Sequence, residues 1–351
     1  MLTTQQGGRS RGSMWRAFAV IAAVMAVVNV VPAVGSTASV SSRGANRGTR
    51  PSVIIDTDLS RWWDDATAVG MANVMEQRGQ VRILGVMSDI QNPVAVAAID
   101  AINTAYGHRN IPIGAVANSD ANTAPHGYSD VLAGRLPHSI RNSDHVPGAV
   151  ALYRRLLARQ PDHSVTVVSI GGYTNLAGLL SSKSGQGSSL GGRALVAAKV
   201  KRLVIEDGLF PNGGPPFTNQ KLDLAAASAV VAGAGWPTPA AWVDGLTGIQ
   251  TQVGGMLCTT TPPNHPMRIV YEALFGCGPP KDGDWDGPTM LYAINGRQSV
   301  FSELGQGGAA AINAQGGLSW QTNPGRPYDV YVHVIDQQTL NSQIDQLLAA
   351  R

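Results

Sequence analysis

Short apolar runs alternate with helical segments along most of this chain, and that alternation limits the folds it can adopt. Six runs are predicted as strands: Val53 to Ile55, Val81 to Met87, Val165 to Ile170, Val200 to Ile205, Pro239 to Val243 and Tyr328 to Ile335. Between and after them lie stretches with helical spacing, such as Ala149 to Ala158 and Gln338 to Leu348. Strands that are apolar on both faces are typical of parallel sheets covered by helices. The sequence therefore predicts an α/β fold, a Rossmann-like open and mostly parallel sheet with helices on both faces.

The first fifty residues are typical of the leader of an exported protein. Basic residues precede an apolar run from Ala17 to Val34, and Ala33-Val34-Gly35 then supplies the small-residue pattern of a cleavage site. This arrangement predicts a signal peptide over residues 1–35, with a retained membrane anchor as the alternative. Residues 36–50 are rich in Ser, Gly, Arg and Thr and are interpreted as a flexible leader to one domain over 51–351. We expect a secreted, extracellular protein with no stable membrane span after signal removal.

The charge balance argues against nucleic acid as a partner. The chain has 26 Lys and Arg against 23 Asp and Glu, a formal net charge of +3. The predicted signal peptide contains Arg9, Arg11 and Arg16 and no acidic residue, so the remaining chain is neutral. A neutral chain lacks the positive charge that binds phosphate backbones, so we expect no nucleic-acid binding.

The two cysteines, Cys258 and Cys277, permit one disulfide. An exported chain meets an oxidising compartment, where such pairs form and persist. Two isolated cysteines cannot make a structural zinc site by themselves. A disulfide is the favoured interpretation, and a catalytic thiol is the alternative.

The first predicted strand leads directly into a cluster of acidic residues, Asp56, Asp58, Asp64 and Asp65. Ligands of open α/β sheets bind beyond the carboxyl ends of the strands. Carboxylates gathered there repel one another at low dielectric, and a cation relieves that repulsion. All-oxygen ligands suit calcium or magnesium. The cluster therefore predicts a metal or catalytic site, while one aspartate could instead cap the next helix.

Four motifs in a fixed order give the chain a family resemblance. They are Asp56-Thr57-Asp58 with Asp64-Asp65, then MSDIQNP, SIGGYTNLA and DWDGPTMLYAI. The set resembles the inosine-uridine-preferring nucleoside hydrolases, particularly their exported, divergent members, over most of residues 51–351. The resemblance implies that family's fold and hydrolysis of the N-glycosidic bond of ribonucleosides to free base and ribose. It also implies a calcium ion that holds the attacking water and the ribose hydroxyls, a role in purine and pyrimidine salvage, and a homodimer or homotetramer.

The same resemblance assigns roles to individual residues. The implied metal ligands are Asp58, Asp65, the carbonyl of Ile170 and Asp286. Asp58 would also act as the general base toward the water. The implied contacts to the sugar are Asp64 and Asn92 on the ribose hydroxyls and Asn219 on the 5′ side.

Activation of the leaving base has weaker candidates. His126 lies roughly where some family members place an active-site histidine, although an exposed loop histidine is the simpler interpretation. Trp62, Trp63 and Trp285 are aromatic candidates to stack against the base, with core packing as the alternative.

The chain also departs from the family pattern. Five residues, 59–63, separate the two aspartate motifs where the family usually has three. The family's ribose-binding glutamate is Phe217 here, and a histidine that often precedes the last metal aspartate is Trp285. Glu206-Asp207-Gly208 replaces a Met-Gly-Gly turn, so either acid could restore a contact to the sugar or stabilise the turn. Asp244 also ends a predicted strand and is a rival to Asp286 as the last ligand.

These departures leave two other functions open. The first is a catalytically altered nucleoside- or sugar-binding protein on the same fold. The second is a phosphohydrolase of the haloacid dehalogenase type, because Asp56-Thr57-Asp58 is similar to its paired aspartates. The second match is short and lacks a convincing lysine motif, so a hydrolase of ribonucleosides is the leading hypothesis.

Overall fold

Strands and helices alternate along the chain as the sequence predicts. The computed structural model describes residues 50–60, 62–116, 127–232 and 235–351. Within them the strands are β1 (Ser52–Thr57), β2 (Arg82–Ser88), β3 (Ile113–Ala115), β4 (Val165–Ser169), β5 (Val200–Glu206), β6 (Ala240–Val243), β7 (Phe301–Leu304), β8 (Gly308–Ile312), β9 (Leu318–Thr322) and β10 (Val330–Val334). The helices are α1 (Trp63–Gln77), α2 (Ala95–Ala105), α3 (Ser129–Arg135), α4 (Ala149–Ala158), α5 (Thr174–Ser181), α6 (Gly192–Lys199), α7 (Thr218–Leu222), α8 (Leu224–Val231), α9 (Gly245–Gln250), α10 (Leu257–Thr260), α11 (Pro266–Phe275), α12 (Asp286–Asn295) and α13 (Gln337–Leu348).

Eight of these strands form one open sheet in the order β3-β2-β1-β4-β5-β6-β10-β7. All neighbouring pairs are parallel except β10 and β7, which are antiparallel. After β1 the chain builds the sheet toward β3, and from β4 it builds in the opposite direction. The boundary between β1 and β4 is therefore the switch point at which such sheets bind ligands. The predicted fold class is confirmed.

Helices cover both faces of the sheet, as β1 shows. Val53 and Ile55 belong to one buried apolar cluster, which also contains residues of α1, α2, α11, α12 and α13. Ile54, between them, belongs to a second cluster with residues of α4, α5, α6 and α8. Alternate side chains of a strand point to opposite faces, so a strand buried on both faces must be apolar at every position.

Four strands were not predicted from the sequence. β3 has only three residues, Ile-Gly-Ala, and β8 is mostly alanine, so neither gives a distinctive pattern. β7 pairs at the edge of the main sheet, and β8 and β9 form a separate antiparallel pair. These four strands pair through tertiary contacts rather than through local propensity. The hydrophobic periodicity and the composition of the sequence therefore did not predict them.

The N-terminal predictions lie almost wholly outside the described residues. The predicted signal peptide and residues 36–49 of the flexible leader are in this part, so export remains a prediction. In the residues that the structure describes, we find no helix whose length and apolarity would let it cross a bilayer.

The two cysteines form a disulfide, as favoured from the sequence. Cys258 lies in α10 and Cys277 follows α11, with their Cα atoms 5.8 Å apart. This pairing removes the alternative of a catalytic thiol, because a disulfide-bonded sulfur is not a nucleophilic thiolate. The bridge closes the segment whose helix α11 carries Tyr271 and Phe275, which pack edge-on against Trp63.

We predict that replacing both cysteines by serine lowers the free energy of unfolding by about 3 kcal/mol, the value that chain entropy gives for a loop of this length. Urea denaturation of wild type and the double variant measures the difference. Cation binding serves as the control and is expected to be unchanged, because neither sulfur lies in the cavity described below. Equal unfolding midpoints would contradict the prediction.

Candidate active site

A cavity opens where β1, β4 and β5 end, at the switch point of the sheet. Its volume is about 240 Å³, below the roughly 300–1,000 Å³ of drug-sized sites, and this indicates a small ligand rather than a polymer. The lining residues are Asp58, Trp62, Trp63, Asp64, Asp65, Ile170, Glu206, Phe217, Thr218, Asn219, Asp282, Gly283, Trp285 and Asp286. Nine of the eleven residues predicted for the site from the sequence lie in this lining.

The connection from β1 to α1 brings three of the carboxylates to the cavity. Asp58 follows the end of β1, and Asp64 and Asp65 lie in the first turn of α1. The positive end of a helix dipole favours acidic groups in that position. The connection between β1 and α1 is longer than is usual in the family that the sequence resembles. Leu59 within it is fully buried and anchors it in the core. Asp65 still reaches the cavity.

Asp64, Asp65 and Asp286 form the tightest cluster. Each offers an oxygen within 4.8 Å of an oxygen of the other two, and all three residues are buried. Asp58 joins them through a hydrogen bond between its carboxyl group and that of Asp65. The Thr57 hydroxyl also donates to Asp65. The sequence predicted Asp64 and Asp65 in one acidic cluster and assigned Asp64 a sugar contact, but it could not show that the oxygens of Asp64 and Asp286 meet, because only the fold brings these two residues together.

The cluster is electrostatically unfavourable without a counter-charge. Burial raises the pKa of Asp64 to about 7, and the neighbouring charge of Asp58 adds to the increase. Burial likewise raises the pKa of Asp65, with further contributions from Asp58 and Asp64. The pKa of Asp286 is raised by burial and then by Asp64 and Asp65. Charged carboxylates at this spacing require a proton or a cation between them.

The donor set fits a hard divalent cation. The cluster offers oxygen ligands, and Ile170, which follows the end of β4, lines the same cavity. A Cβ on Gly171 would lie 2.5 Å from the backbone nitrogen of Asp58, so glycine is what lets the ends of β4 and β1 approach this closely. The four ligands implied by the resemblance therefore line one cavity, and their oxygens suit calcium or magnesium.

The three predicted tryptophans all line this cavity, and they differ in their surroundings. Trp62 is 41% exposed at the rim. Trp63 is buried, and its indole nitrogen donates to the carbonyl of Gly283 over 3.1 Å. The Trp285 ring lies against Gly248, where any side chain would overlap it, and its indole N–H donates to the carbonyl of Gly245 over 2.7 Å. Trp63 thus combines core packing with a lining role, and Trp285 lines the cavity beside the acidic cluster, since its backbone nitrogen donates to the Asp64 carboxylate over 3.2 Å.

Asn219 and Glu206 meet at the end of β5. The Asn219 amide nitrogen donates to the Glu206 carboxylate over 2.8 Å, so this amide is oriented by the protein itself. Burial raises the pKa of Glu206, and the adjacent Asp207 adds to the increase. Glu206 is a candidate site residue that the sequence could not separate from Asp207.

Two predicted site residues are not among the lining residues. The Asn92 amide donates to the Ser60 hydroxyl, and its carbonyl accepts from the backbone nitrogen of Val94 over 2.9 Å. Asn92 therefore supports the connection after β1, and its sugar contact remains a prediction. His126 lies in residues 117–126, which are outside the described residues.

The other acidic candidates have structural partners. Asp56 accepts from the Tyr153 hydroxyl over 2.7 Å and from Asn175 over 3.0 Å, and it does not line the cavity. Asp244 caps α9 through the backbone nitrogen of Leu246 and also bonds His333, so it is no rival to Asp286. With Asp56 engaged in this way, the paired aspartates expected of a haloacid dehalogenase are not presented together.

The comparisons with known proteins find matches by fold and none by sequence. No protein-family model and no curated protein matches the chain by sequence. Among solved structures, the inosine-uridine preferring nucleoside hydrolase from Bacillus anthracis superposes with a TM-score of 0.63 at 14% identity, over 85% of this chain and 99% of that one. The chain has the nucleoside hydrolase fold.

Other nucleoside hydrolases and a divergent branch share this fold. The purine-preferring ribonucleoside hydrolase from Gardnerella vaginalis gives a TM-score of 0.63 at 14% identity, over 85% of this chain and 98% of that one. The type III effector protein XopQ, in complex with adenosine diphosphate ribose, gives a TM-score of 0.64 at 15% identity, over 86% of this chain and 95% of that one. These identities establish the fold, and the site must supply the function.

We predict that calcium stabilises the protein through this cluster. At 100 times the dissociation constant, bound calcium adds about 2.7 kcal/mol, which raises the melting temperature by several degrees. The Asp286→Asn variant is expected to lose this response because a ligand charge is removed. Thermal unfolding with calcium, with magnesium and with EDTA measures the effect.

Asp223→Asn is the matched control for this experiment. Asp223 caps α8 through the backbone nitrogen of Ala226 and lies outside the cavity, and asparagine is an equally good cap. It is expected to respond to calcium as wild type does. An Asp286→Asn variant with the full calcium response would show that the cation binds elsewhere.

Proposed function

We propose that this protein is a calcium-dependent hydrolase of the N-glycosidic bond of ribonucleosides, releasing free base and ribose. The observation that carries the proposal is the cluster of buried carboxylates that shares one small cavity with aromatic residues, at the switch point of a nucleoside hydrolase fold. The carboxylates suit a sugar that develops positive charge, and the rings suit a planar base.

The proposed cation ligands are Asp58, Asp65, the Ile170 carbonyl and Asp286, with Asp64 in contact with the same cluster. A bound divalent cation would neutralise these charges and lower the pKa of water in the site. Without a cation, Asp58 and Asp65 must share a proton through their hydrogen bond. A cation that replaces this shared proton would leave the Asp58 carboxylate free to accept a proton, so occupancy of the site would also prepare Asp58 for catalysis.

In the proposed reaction Asp58 accepts a proton from the attacking water. The water oxygen bonds to C1′ of the ribose while the bond from C1′ to the base nitrogen breaks, and the electron pair leaves with the base. The sugar passes through an oxocarbenium-like state, which the surrounding carboxylates stabilise electrostatically. General-base assistance of this kind contributes about 10²- to 10⁴-fold to a rate.

The leaving base requires a place to stack and a proton. Trp285 and Trp62 are the proposed stacking residues, because both line the cavity and Trp62 is exposed at its rim. The indole N–H of Trp285 is bonded to a carbonyl, so this residue cannot supply the proton. We retain His126 as the proposed donor.

A nucleoside- or sugar-binding protein without turnover is the second candidate function. Phe217 lines the cavity where the resemblance implies a sugar-binding glutamate, which motivates this alternative. XopQ supports it further, since an effector protein with the same fold is known in complex with adenosine diphosphate ribose. Binding without product formation would distinguish this function from hydrolysis.

We predict that purified mature protein releases free base from at least one member of a panel of purine and pyrimidine nucleosides. Activity should depend on calcium and disappear in EDTA. The Asp58→Asn variant loses a ligand charge as well as the general base, so it is assayed at a calcium concentration that saturates its weakened cation site, and there it should still lose at least about 100-fold in kcat. Chromatography of base and ribose measures the rate.

Asp223→Asn again provides the control and is expected to stay within about twofold of wild type. Full turnover by Asp58→Asn with calcium bound would refute the proposed base. If calcium-loaded wild type binds nucleosides but releases no base from any of them, the binding function replaces the hydrolase.

We also propose that the protein acts outside the cell, where it would hydrolyse small-molecule nucleosides for nucleoside salvage. We propose a homodimer or homotetramer as its oligomeric state. The disulfide between Cys258 and Cys277 supports an oxidising compartment. Expression of the full chain in a secreting host should yield extracellular protein that begins near Ser36. N-terminal sequencing tests this, and an uncleaved protein retained in the membrane fraction would contradict it.

A further inference from the structure

Two adjacent acids at the end of β5 have different hydrogen-bonding states. Asp207 uses both carboxylate oxygens, accepting from the Tyr173 hydroxyl over 2.6 Å and from the backbone nitrogen of Gly208 over 2.6 Å. Glu206 uses only Oε2, which accepts from Asn219. Its Oε1 is buried and has no hydrogen-bond partner among the described residues. Asp207 therefore stabilises the turn, while Glu206 has one carboxylate oxygen that can accept a further hydrogen bond.

Oε1 of Glu206, the oxygen without a hydrogen-bond partner, belongs to a side chain that lines the cavity. Glu206 lines it together with Asn219 and is 4% exposed, so water satisfies this carboxylate poorly. A buried acceptor left without a donor destabilises the protein by about 1–3 kcal/mol, or more for a charged group. The hydrogen bond from Asn219 limits the rotation of the side chain. The site is thus organised to receive a hydrogen-bond donor from a ligand.

The lining restricts the chemistry of that ligand. Among the described residues, the cavity is lined by six carboxyl side chains and no lysine, arginine or histidine. A phosphate at Glu206 would meet like charge without a basic partner, whereas a neutral hydroxyl would donate to it. Phe217, on the same side as Asn219, has no polar group with which to bind a hydroxyl.

We propose that Glu206, oriented by Asn219, accepts a hydrogen bond from a sugar hydroxyl and selects neutral sugars over phosphorylated ones. Glu206 would then supply the carboxylate contact that Phe217 cannot make. The inference rests on the proposed function, because it takes the ligand to carry ribose. It adds a specificity residue and excludes nucleotides as the preferred substrate class.

The test compares Glu206→Gln with wild type by calorimetry in calcium, using D-ribose and D-ribose 5-phosphate as probes. Glutamine keeps the size of the side chain and can still accept from Asn219. Wild type should bind ribose more tightly than ribose 5-phosphate. Glu206→Gln should bind ribose about tenfold more weakly, because a hydrogen bond to a charged acceptor is lost. The ratio of its affinity for ribose to its affinity for ribose 5-phosphate should also be smaller than in wild type.

Asp207→Asn is the matched control, since it removes one charge from the adjacent residue outside the cavity lining. An asparagine carbonyl can accept from Gly208 while its amide donates to the Tyr173 oxygen, so the turn is preserved. This variant should keep the ribose preference of wild type. Thermal unfolding of both variants verifies that each is folded.

Base release from inosine and uridine, measured on the same preparations, separates the two proposals. If wild type releases base and Glu206→Gln matches it in ribose affinity and in selectivity, the role of Glu206 is overturned and the hydrolase stands. If wild type binds ribose selectively without releasing base and Glu206→Gln weakens that binding, the hydrolase fails and Glu206 stands. Absence of ribose binding by wild type would overturn the role of Glu206.

Discussion

Mutual repulsion among buried carboxylates is the constraint on which the rest of this site depends. Asp58, Asp64, Asp65 and Asp286 lie together where solvent cannot screen them, and the raised pKa of Asp64, Asp65 and Asp286 follows from that burial. A fold tolerates such a cluster when the remaining structure holds it rigidly and a cation or a proton compensates the charge. The sheet supplies the rigidity, since β1 and β4 are central strands covered on both faces.

The switch point of the sheet explains why distant segments converge here. Asp58 and Ile170 follow β1 and β4, and Glu206 ends β5; these three strands are neighbours in the sheet although far apart in sequence. Two glycines then set the local distances. Gly171 allows the ends of β4 and β1 to approach, and Gly248 leaves room for the Trp285 ring. Carboxylates and aromatic residues therefore meet in one cavity because of the strand order together with two missing side chains.

Three of the residues that depart from the family pattern, Phe217, Trp285 and Glu206, lie in the cavity lining. Structural relatives at 14–16% identity retain the fold over nearly their whole length. Here Phe217 and Trp285 add apolar surface to the cavity, while Glu206 adds a carboxylate beside Asn219. Residues at these positions can differ without disturbing the packing of the sheet, because the core clusters beneath it are made by other residues.

The sequence by itself determined the α/β architecture, the six main strands and the acidic cluster after β1, because periodicity and local composition are properties of neighbouring residues. It also identified most of the residues that line the cavity. Only the tertiary structure decided that Asp64 joins Asp65 and Asp286, that Asp244 is a helix cap, and that Asn92 bonds Ser60. It also decided that Glu206 rather than Asp207 faces the cavity, because partners such as Asn219 and Tyr173 are brought in by folding and leave no local signal in the sequence.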